Sequence, residues 1–263
     1  MKVAMIGDNC IDYYKSLKRS YPTGNVVDTG VNLKKLGVDT SIISTTGSDE
    51  NGRVMMETLN REGLDTSHLK IGDGQTAITY MDLDGLERIH GDYIEGVLEN
   101  IIFNKEDIDF AASHDLVHSA FWGKADKVLK EIKEKGTLIS FDYATNYNSN
   151  LVESTLPYVD FGFFSFKESN DFVKNFLRKM VSNGMKIAVA TFGEDGSLAW
   201  DGKEFYRCGI YPAKVVNTVG AGDSFIAGFL YGILTKKSVD ECLKEGAKIS
   251  AKVVSVFEPW VIE

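Results

Sequence analysis

From about Lys105 onward, short apolar runs and segments with apolar residues at helical spacing take turns along the chain. A chain patterned this way folds into β-α-β units, because parallel strands can be joined only by a crossover, and the crossover is usually a helix. Helical spacing runs near 105–113, 124–135 and 167–182, and strand-like runs cover 115–120, 137–142, 160–164 and 185–191. Earlier, a strand at 2–6, a helix at 25–37 stopped by Gly37, a strand at 39–46 and a helix at 49–63 keep the same rhythm. Short strands at 196–200 and 204–208 precede two closing helices near 222–234 and 239–257. Between 67 and 97 the texture is instead polar and β-rich, and Asp84-Gly85 supplies a two-residue hairpin signal. The expectation is an α/β chain with a mostly parallel sheet and an inserted antiparallel flap.

The chain has 263 residues, 43% of them hydrophobic, enough for one sizeable core. Its net charge of −9 opposes a phosphate-backbone partner, so nucleic acid is not expected. Cys10, Cys208 and Cys242 are too few and too scattered for a disulfide framework or a Cys-x-x-Cys metal site. No signal-peptide pattern opens the chain, and the longest uncharged apolar stretch, 224–234, falls well short of the roughly 20 residues of a membrane span. A cytoplasmic protein without a membrane partner is expected.

Chemistry concentrates at Asn217-Thr218-Val219-Gly220-Ala221-Gly222-Asp223, where glycines lead into a helix striped with Phe225, Ile226, Phe229, Leu230, Ile233 and Leu234. Gly220 and Gly222 let backbone N–H groups approach a ligand, and the helix's unpaired amides and positive dipole end suit an anion such as phosphate. A carboxylate beside a phosphate repels it unless it has a task, and taking a hydroxyl's proton during phosphoryl transfer is one. Alone, Asp223 reads more simply as a first-turn acid favoured by the dipole. Gly7-Asp8 ends the first strand, where open α/β sheets bind ligands. Asp142 ends a later strand and faces the same crevice, toward either substrate or metal.

With these residues in view the chain resembles the ribokinase-like carbohydrate kinases of the PfkB family, whose late signature is Asp-Thr-x-Gly-Ala-Gly-Asp. The resemblance implies a three-layer fold with a mostly parallel central sheet, the whole of 1–263 as one kinase domain, and a β-sheet lid from about 10–22 and 72–98. It implies ATP and Mg2+ as cofactors, Asp223 as catalytic base, and Gly220, Ala221 and Gly222 as an anion hole. Asn217 stands where the family has its first Asp, on the nucleotide side. Thr23-Gly24-Asn25-Val26-Val27-Asp28 is a loose copy of the family's early glycine pair followed by Asn. Gly24 keeps the close-approach position, Thr23 fills a glycine place and Asp28 the Asn place. Taken alone, these residues are equally a helix start with Asn25 as cap. The resemblance places Gly24, Asn25 and Asp28, together with Asp8 and Asp12, in the sugar site. Thr191, Gly193 and Gly196 resemble the Thr-x-Gly-x-x-Gly turn on the nucleotide side. Ser165 and Glu168 stand in the Asn-x-x-Glu place, with Glu168 expected to act on magnesium through water.

Longer stretches are similar to the fructosamine kinases within that family: Gly7 to Asp12, Arg88 to Gly96, His118 to Gly123 and Gly222 to Gly232. They imply transfer of the ATP γ-phosphoryl to O6 of fructoselysine or a related fructosamine, with Arg88, Asp92, Tyr93 and Glu95 of the flap offered to the acceptor. The alternatives are a fructokinase, ribokinase or nucleoside kinase, or, in another class, a catalytically weak sugar-binding regulatory protein. His114, His118, Trp122 and Trp200 read as structural, and the flap's open edge offers a homodimer contact.

Overall fold

The computed structural model of the chain describes residues 1–84 and 87–261; the side chains of Leu83, Asp84, Glu87, Arg88 and His90 also lie outside the described part. The chain runs β1 (Lys2–Ile6), β2 (Cys10–Tyr14), β3 (Arg19–Thr23), α1 (Asn25–Lys35), β4 (Asp39–Gly47), α2 (Glu50–Arg61), β5 (Asp65–Gly72), β6 (Ile78–Asp84) and β7 (Glu87–Ile94). It continues through α3 (Lys105–Ala112), β8 (Leu116–Ala120), α4 (Asp126–Glu134), β9 (Leu138–Asp142), α5 (Asn150–Thr155), β10 (Phe161–Ser165) and α6 (Asp171–Ser182). It closes with β11 (Ile187–Thr191), β12 (Ser197–Trp200), β13 (Phe205–Cys208), α7 (Ala221–Leu234) and α8 (Val239–Val253).

Nine strands form one sheet in the order β13-β12-β11-β10-β9-β8-β1-β4-β5. All its pairings are parallel except the antiparallel β11-β12 and β12-β13 pairs. Strand β1 reads Val3-Ala4-Met5-Ile6 without polar interruption because both of its faces are covered. Val3 and Met5 pack toward α1, α2, α7 and α8, whereas Ala4 and Ile6 pack toward α3, α4, α5 and α6. The alternation repeats in β11, where Ile187 and Val189 join the first layer and Ala188 and Ala190 the second.

A separate sheet, β3-β2-β6-β7, stands over one end of this sandwich. Directly opposed residues share a face, so the register groups Asp12 with Tyr21, Thr79 and Tyr93, and Cys10 with Thr23. That face, which also carries Tyr14 and Met81, packs Tyr14, Tyr21 and Met81 against Val219 and Phe257. It therefore looks at the loop that leads into α7.

Four expectations shift. Ser67 to Gly72 belongs to the main sheet as the end of β5, not to the flap. Helix α6 starts at Asp171, because Asn170 caps it by accepting from Val173 N–H, and Glu168 thus precedes the helix. Helix α8 ends at Val253, and α5 was not signalled, being too short for a period to show. Of the expected Asp84-Gly85 turn, Gly85 lies outside the described residues, and Asp84 is instead the last residue of β6, opposite Glu87 in the ladder.

Helix α7 is apolar on nearly all sides because it is wedged between the sheet, α1 and α8. The ring of Phe229 meets Phe163 of β10 edge-on at 5.3 Å. Closeness to α8 is set by glycines: a Cβ on Gly228 would sit 2.6 Å from the Glu245 carbonyl oxygen. In an open helix Gly→Ala stabilises by about 0.5–1 kcal/mol. Here Gly228→Ala is expected to cost about 1–3 kcal/mol through overpacking. Thermal unfolding checks it, and a raised melting temperature would contradict the packing argument.

Candidate active site

Two helix N-termini meet at the carboxyl ends of the central strands. Side chains of Asp49, Asn104, Ser149, Asn170 and Ser238 cap α2, α3, α5, α6 and α8. Helices α1 and α7 instead start from glycines, Gly24 and Gly220, and neither has a capping side chain. Helix α4, which starts after Ala125, is the third described helix without one. A first turn that its own cap residue leaves uncovered can offer N–H groups to an anion, although at α1 Asp8 already takes the Asn25 N–H and at α7 the Ala221 N–H donates to Thr218 O at 3.3 Å. At α7 the loop is held by Gly220 in the left-handed region at φ 69°, where a Cβ would strike Pro259 O at 2.6 Å. A Cβ on Gly222 would meet no atom within 4 Å, so packing inside the protein does not demand glycine there. Asp223 follows in the first turn, with its backbone carbonyl 3.4 Å from the Thr29 hydroxyl of α1.

At α1 the approach is tighter still. Gly24 has φ 133°, and a Cβ would lie 2.9 Å from Asn9 Cα and 3.2 Å from Asp8 Oδ2. This proximity lets Asn25 N–H donate to Asp8 Oδ2 at 2.9 Å. Asn25 is the first residue of the helix rather than its cap, and its side chain reaches across the crevice. The amide Nδ2 donates to Asp223 Oδ1 at 2.6 Å and to Asp142 Oδ2 at 3.1 Å. Thr23 and Asp28, both departures from the family pattern, are partners: the Thr23 hydroxyl donates to Asp28 Oδ2 at 2.7 Å.

Asp8, Asp12, Asp28 and Asp142 are all buried. Burial pushes the Asp8 carboxyl up, partly offset by N–H donors from α1. Burial raises Asp28 well above the usual range, reinforced by the charges of Asp223, Asp12 and Asp8. Burial also lifts Asp142 to about 6 against the opposing hydrogen bond from Ala144 N–H. Asp8 Oδ1, Asn25 Oδ1 and Asp28 Oδ1 are buried without a hydrogen-bond partner among the described residues. A crevice holding spare acceptors calls for a ligand that brings donors, such as sugar hydroxyls.

The nucleotide-side residues lie along the neighbouring strand ends. Ser165 and Thr191 pair in register, with their hydroxyls 3.2 Å apart. Gly193 is exposed at φ 58°, whereas Gly196 is buried against Cys208 O, where a Cβ would be 2.2 Å away. Glu168 is exposed and accepts from Asn170 Nδ2 at 3.2 Å. Asn217 is turned inward: its amide donates to Phe257 O and its Oδ1 accepts from Val219 N–H, so it fastens the loop before α7.

The flap residues separate. Tyr93 shares a row with Asp12, and burial pushes its hydroxyl up, reinforced by Cys10, Asp8 and Glu95. Asp92 is exposed, and as Tyr93's neighbour in β7 it points to the other face of the sheet. Glu95 is already paired, because Lys124 Nζ donates to its Oε2 at 2.6 Å and to the carbonyls of Leu98 and Glu99. Arg88 lies in β7, but its side chain is outside the described part. Lys124 gave no sequence signal; it ties the segment after β7 to the turn after β8. Trp122, expected to be packed, is 48% exposed in that turn, because Gly123 and not the tryptophan fills the contact with Gly7. His118 is buried on Ser140, and burial drives its imidazole down to about 3, so it stays neutral. His114 is held by Ser41 and Phe110 O.

Residues 21–259 match the pfkB family carbohydrate kinase profile. The chain belongs to the pfkB family of carbohydrate kinases. It is 34% identical to fructoselysine 6-kinase of Escherichia coli (strain K12), over 98% of this chain and 99% of that one. It is 30% identical to fructosamine kinase FrlD of Bacillus subtilis (strain 168), over 98% of this chain and 92% of that one. The fold superposes on a probable sugar kinase from Rhizobium etli CFN 42 with a TM-score of 0.86 at 18% identity, covering 100% of this chain and 95% of that chain. Arabidopsis thaliana ribokinase, complexed with ribose and ATP, gives 0.81 at 18% identity, covering 97% and 92%. The fold is thus ribokinase-like, and the chain is an ATP-dependent sugar kinase that transfers phosphate to a sugar hydroxyl. Among the described residues no helix is long and apolar enough to cross a membrane.

The carboxylate cluster carries a stability signature. Asp28 has a raised value in the folded protein, so the native state holds a proton that the unfolded chain releases at lower pH. Its contribution is present at low pH and is lost as pH climbs from the ordinary carboxylate value through the raised one. Asp28→Asn, which can still accept from Thr23, is expected to raise the melting temperature at pH 8. The gain should shrink toward pH 4, as melting curves across that range would show.

Proposed function

We propose that the acceptor is a fructosamine of the fructoselysine type and that Asp223 is the base deprotonating its O6 hydroxyl for in-line attack on the γ-phosphoryl of ATP. The observation that carries the sugar side is the set of buried, unpartnered acceptors on Asp8, Asn25 and Asp28 beside Asp223. Hydroxyl groups are the donors those oxygens lack. The fructosamine reading is supported by the two named relatives and by an acidic crevice that suits an acceptor carrying an ammonium.

On this reading the first-turn amides of α7 from Gly220 to Gly222 stabilise the charge on the transferring group. Gly222, with no protein atom near its missing Cβ, leaves room for a phosphate oxygen to approach. Asp8 and Asp12 orient hydroxyls, and Thr191, Ser165 and Gly193 face the nucleotide. Magnesium fits as an ion held chiefly by phosphates, since no group of three or more His, Cys, Asp or Glu side chains among the described residues is arranged to cage a metal. Glu168 would hold its water shell, and the ion when bound neutralises phosphate charge. The small sheet, tied down by Lys124, excludes water from the transfer. Two copies pairing along the β7 edge would cover the exposed Ile89 and Ile94.

Purified protein with magnesium ATP and, in parallel, fructoselysine, fructose, ribose and a nucleoside tests the acceptor, with the phosphate located on each product. Fructoselysine is expected to give the highest kcat/KM; a higher value for any other acceptor overturns the fructosamine reading. Asp223→Asn is expected to fold and bind ATP but to lose about 10²- to 10⁴-fold in kcat. Near-normal turnover would remove Asp223 from the role of base.

A further inference from the structure

The contact that links the two sides of the crevice is the Asn25 amide. Its two N–H groups are both engaged, one by Asp223 Oδ1 and one by Asp142 Oδ2. Three things follow from this bridge. The amide cannot flip, because a flip would turn its carbonyl onto two carboxylates. Asn25 Oδ1 is therefore presented, buried and unpartnered, as an acceptor. The two carboxylate oxygens are held within about 6 Å of each other, close enough for like charges to act on one another's titration.

Asp142 is itself fixed. It ends β9, and its other oxygen accepts from Ala144 N–H at 2.9 Å. Ala144 has φ 48°, in the left-handed region that a non-glycine residue adopts only when its surroundings demand it. The strand end is thus shaped to hold the carboxylate with one oxygen on its own turn and the other on Asn25.

Resting on the reading of Asp223 as the transfer base, we propose that Asp142 is a positioning residue: through the Asn25 amide it fixes where Asp223 points and which way the Asn25 carbonyl faces, and its charge makes Asp223 the stronger base.

Other charges reach the same space from every side. Asp8 comes from the end of β1, Asp12 from β2 and Asp28 from α1, all acidic. From the small sheet come the Tyr93 hydroxyl and the Cys10 thiol. Behind α7, Glu245 of α8 pairs with Lys237 beyond Gly228, and Glu258 of the C-terminal segment pairs with Arg19. No cation among these pairs intervenes between Asp142 and Asp223. The Asn25 amide is the donor that separates them.

The test is the pH dependence of kcat/KM for Asp142→Asn, Asp142→Ala and Asn25→Ala beside the unaltered enzyme, with melting temperatures recorded for each. Asp142→Asn keeps an acceptor for Asn25 but loses the charge. Its acid limb is expected about one unit lower, with kcat near pH 8 reduced less than tenfold. Asp142→Ala loses the acceptor too, so the limb moves the same way while kcat falls by about a further tenfold or more. Asn25→Ala removes the amide that stands between the two carboxylates, and its limb is expected about half a unit to one unit higher. Opposite shifts at the two positions are what a merely structural role would not produce. Limbs unmoved in the folded Asp142→Asn variant overturn the proposal, as does a loss that added magnesium restores without moving the limb. If Asn25→Ala fails to fold, the two Asp142 variants still decide. Should Asp223→Asn keep its turnover, the reading of the base falls first. If it is inactive and the limbs stay put, only the role of Asp142 is lost.

Discussion

Carboxylates that are buried together must be held by donors, and in this protein the donors come mainly from the start of one helix. Asp8 takes the Asn25 N–H, Asp28 the Thr23 hydroxyl, and Asp142 and Asp223 share the Asn25 amide. All of these donors come from the six residues that lead into and open α1. The segment reaches the end of β1 only because Gly24 has no Cβ to strike Asn9 and Asp8. A side chain at that position would push the helix start away and pull those donors from the acids of a low-dielectric crevice, a state several kcal/mol less favourable.

The same economy of partners separates the helices capped by side chains of their own cap residues from the two that open on a glycine. Helices α2, α3, α6 and α8 begin with Asp, Asn or Ser side chains on their own amides, which ends their interest in any ligand. Helix α7 begins on a left-handed glycine, and its position is set elsewhere: by Pro259 against Gly220, by Phe163 against Phe229 and by the glycine contacts with α8. Rigid packing behind an N-terminus without a capping side chain fixes where its first-turn amides point. The small sheet completes the enclosure by packing Tyr14 and Tyr21 on Val219, two residues before α7 starts.

Periodicity announced the layered sheet well, because each strand is buried on both faces and each long helix carries one apolar side. It failed where local chemistry decided. Helix α6 starts late because Asn170 competes successfully for the cap, and α5 is shorter than a helical period can reveal. Residue types at motif spacing brought Asp8, Gly24, Asn25, Asp142 and Asp223 to one crevice on paper. Which of them touch depends on long-range geometry that no spacing encodes: Asn25 and Asp223 are 198 positions apart. For the same reason Glu95 and Asp92 looked alike in sequence, yet one is tied to Lys124 and the other faces outward. Asn217 sits in the signature but turns to Phe257 and Val219, a role visible only once the C-terminal segment is folded back.

The pairing of Thr23 with Asp28 bears on the acceptor. Where the family pattern has a glycine and an asparagine, this chain has a hydroxyl and a carboxylate bonded to each other. The exchange adds one acid to a crevice that already holds Asp8, Asp12, Asp142 and Asp223. Retaining it costs stability at neutral pH, since burial and its neighbours resist the ionisation of Asp28. An uncharged sugar gives no return on that cost, because an asparagine carbonyl would accept its hydroxyls equally well. A cationic amine on the acceptor does: beside it Asp28 can release its proton, so that the new carboxylate faces the ammonium and the ammonium relieves the repulsion among the acids. A lone added carboxylate in a crowded acidic pocket is therefore better matched to a fructosamine than to a neutral pentose or hexose.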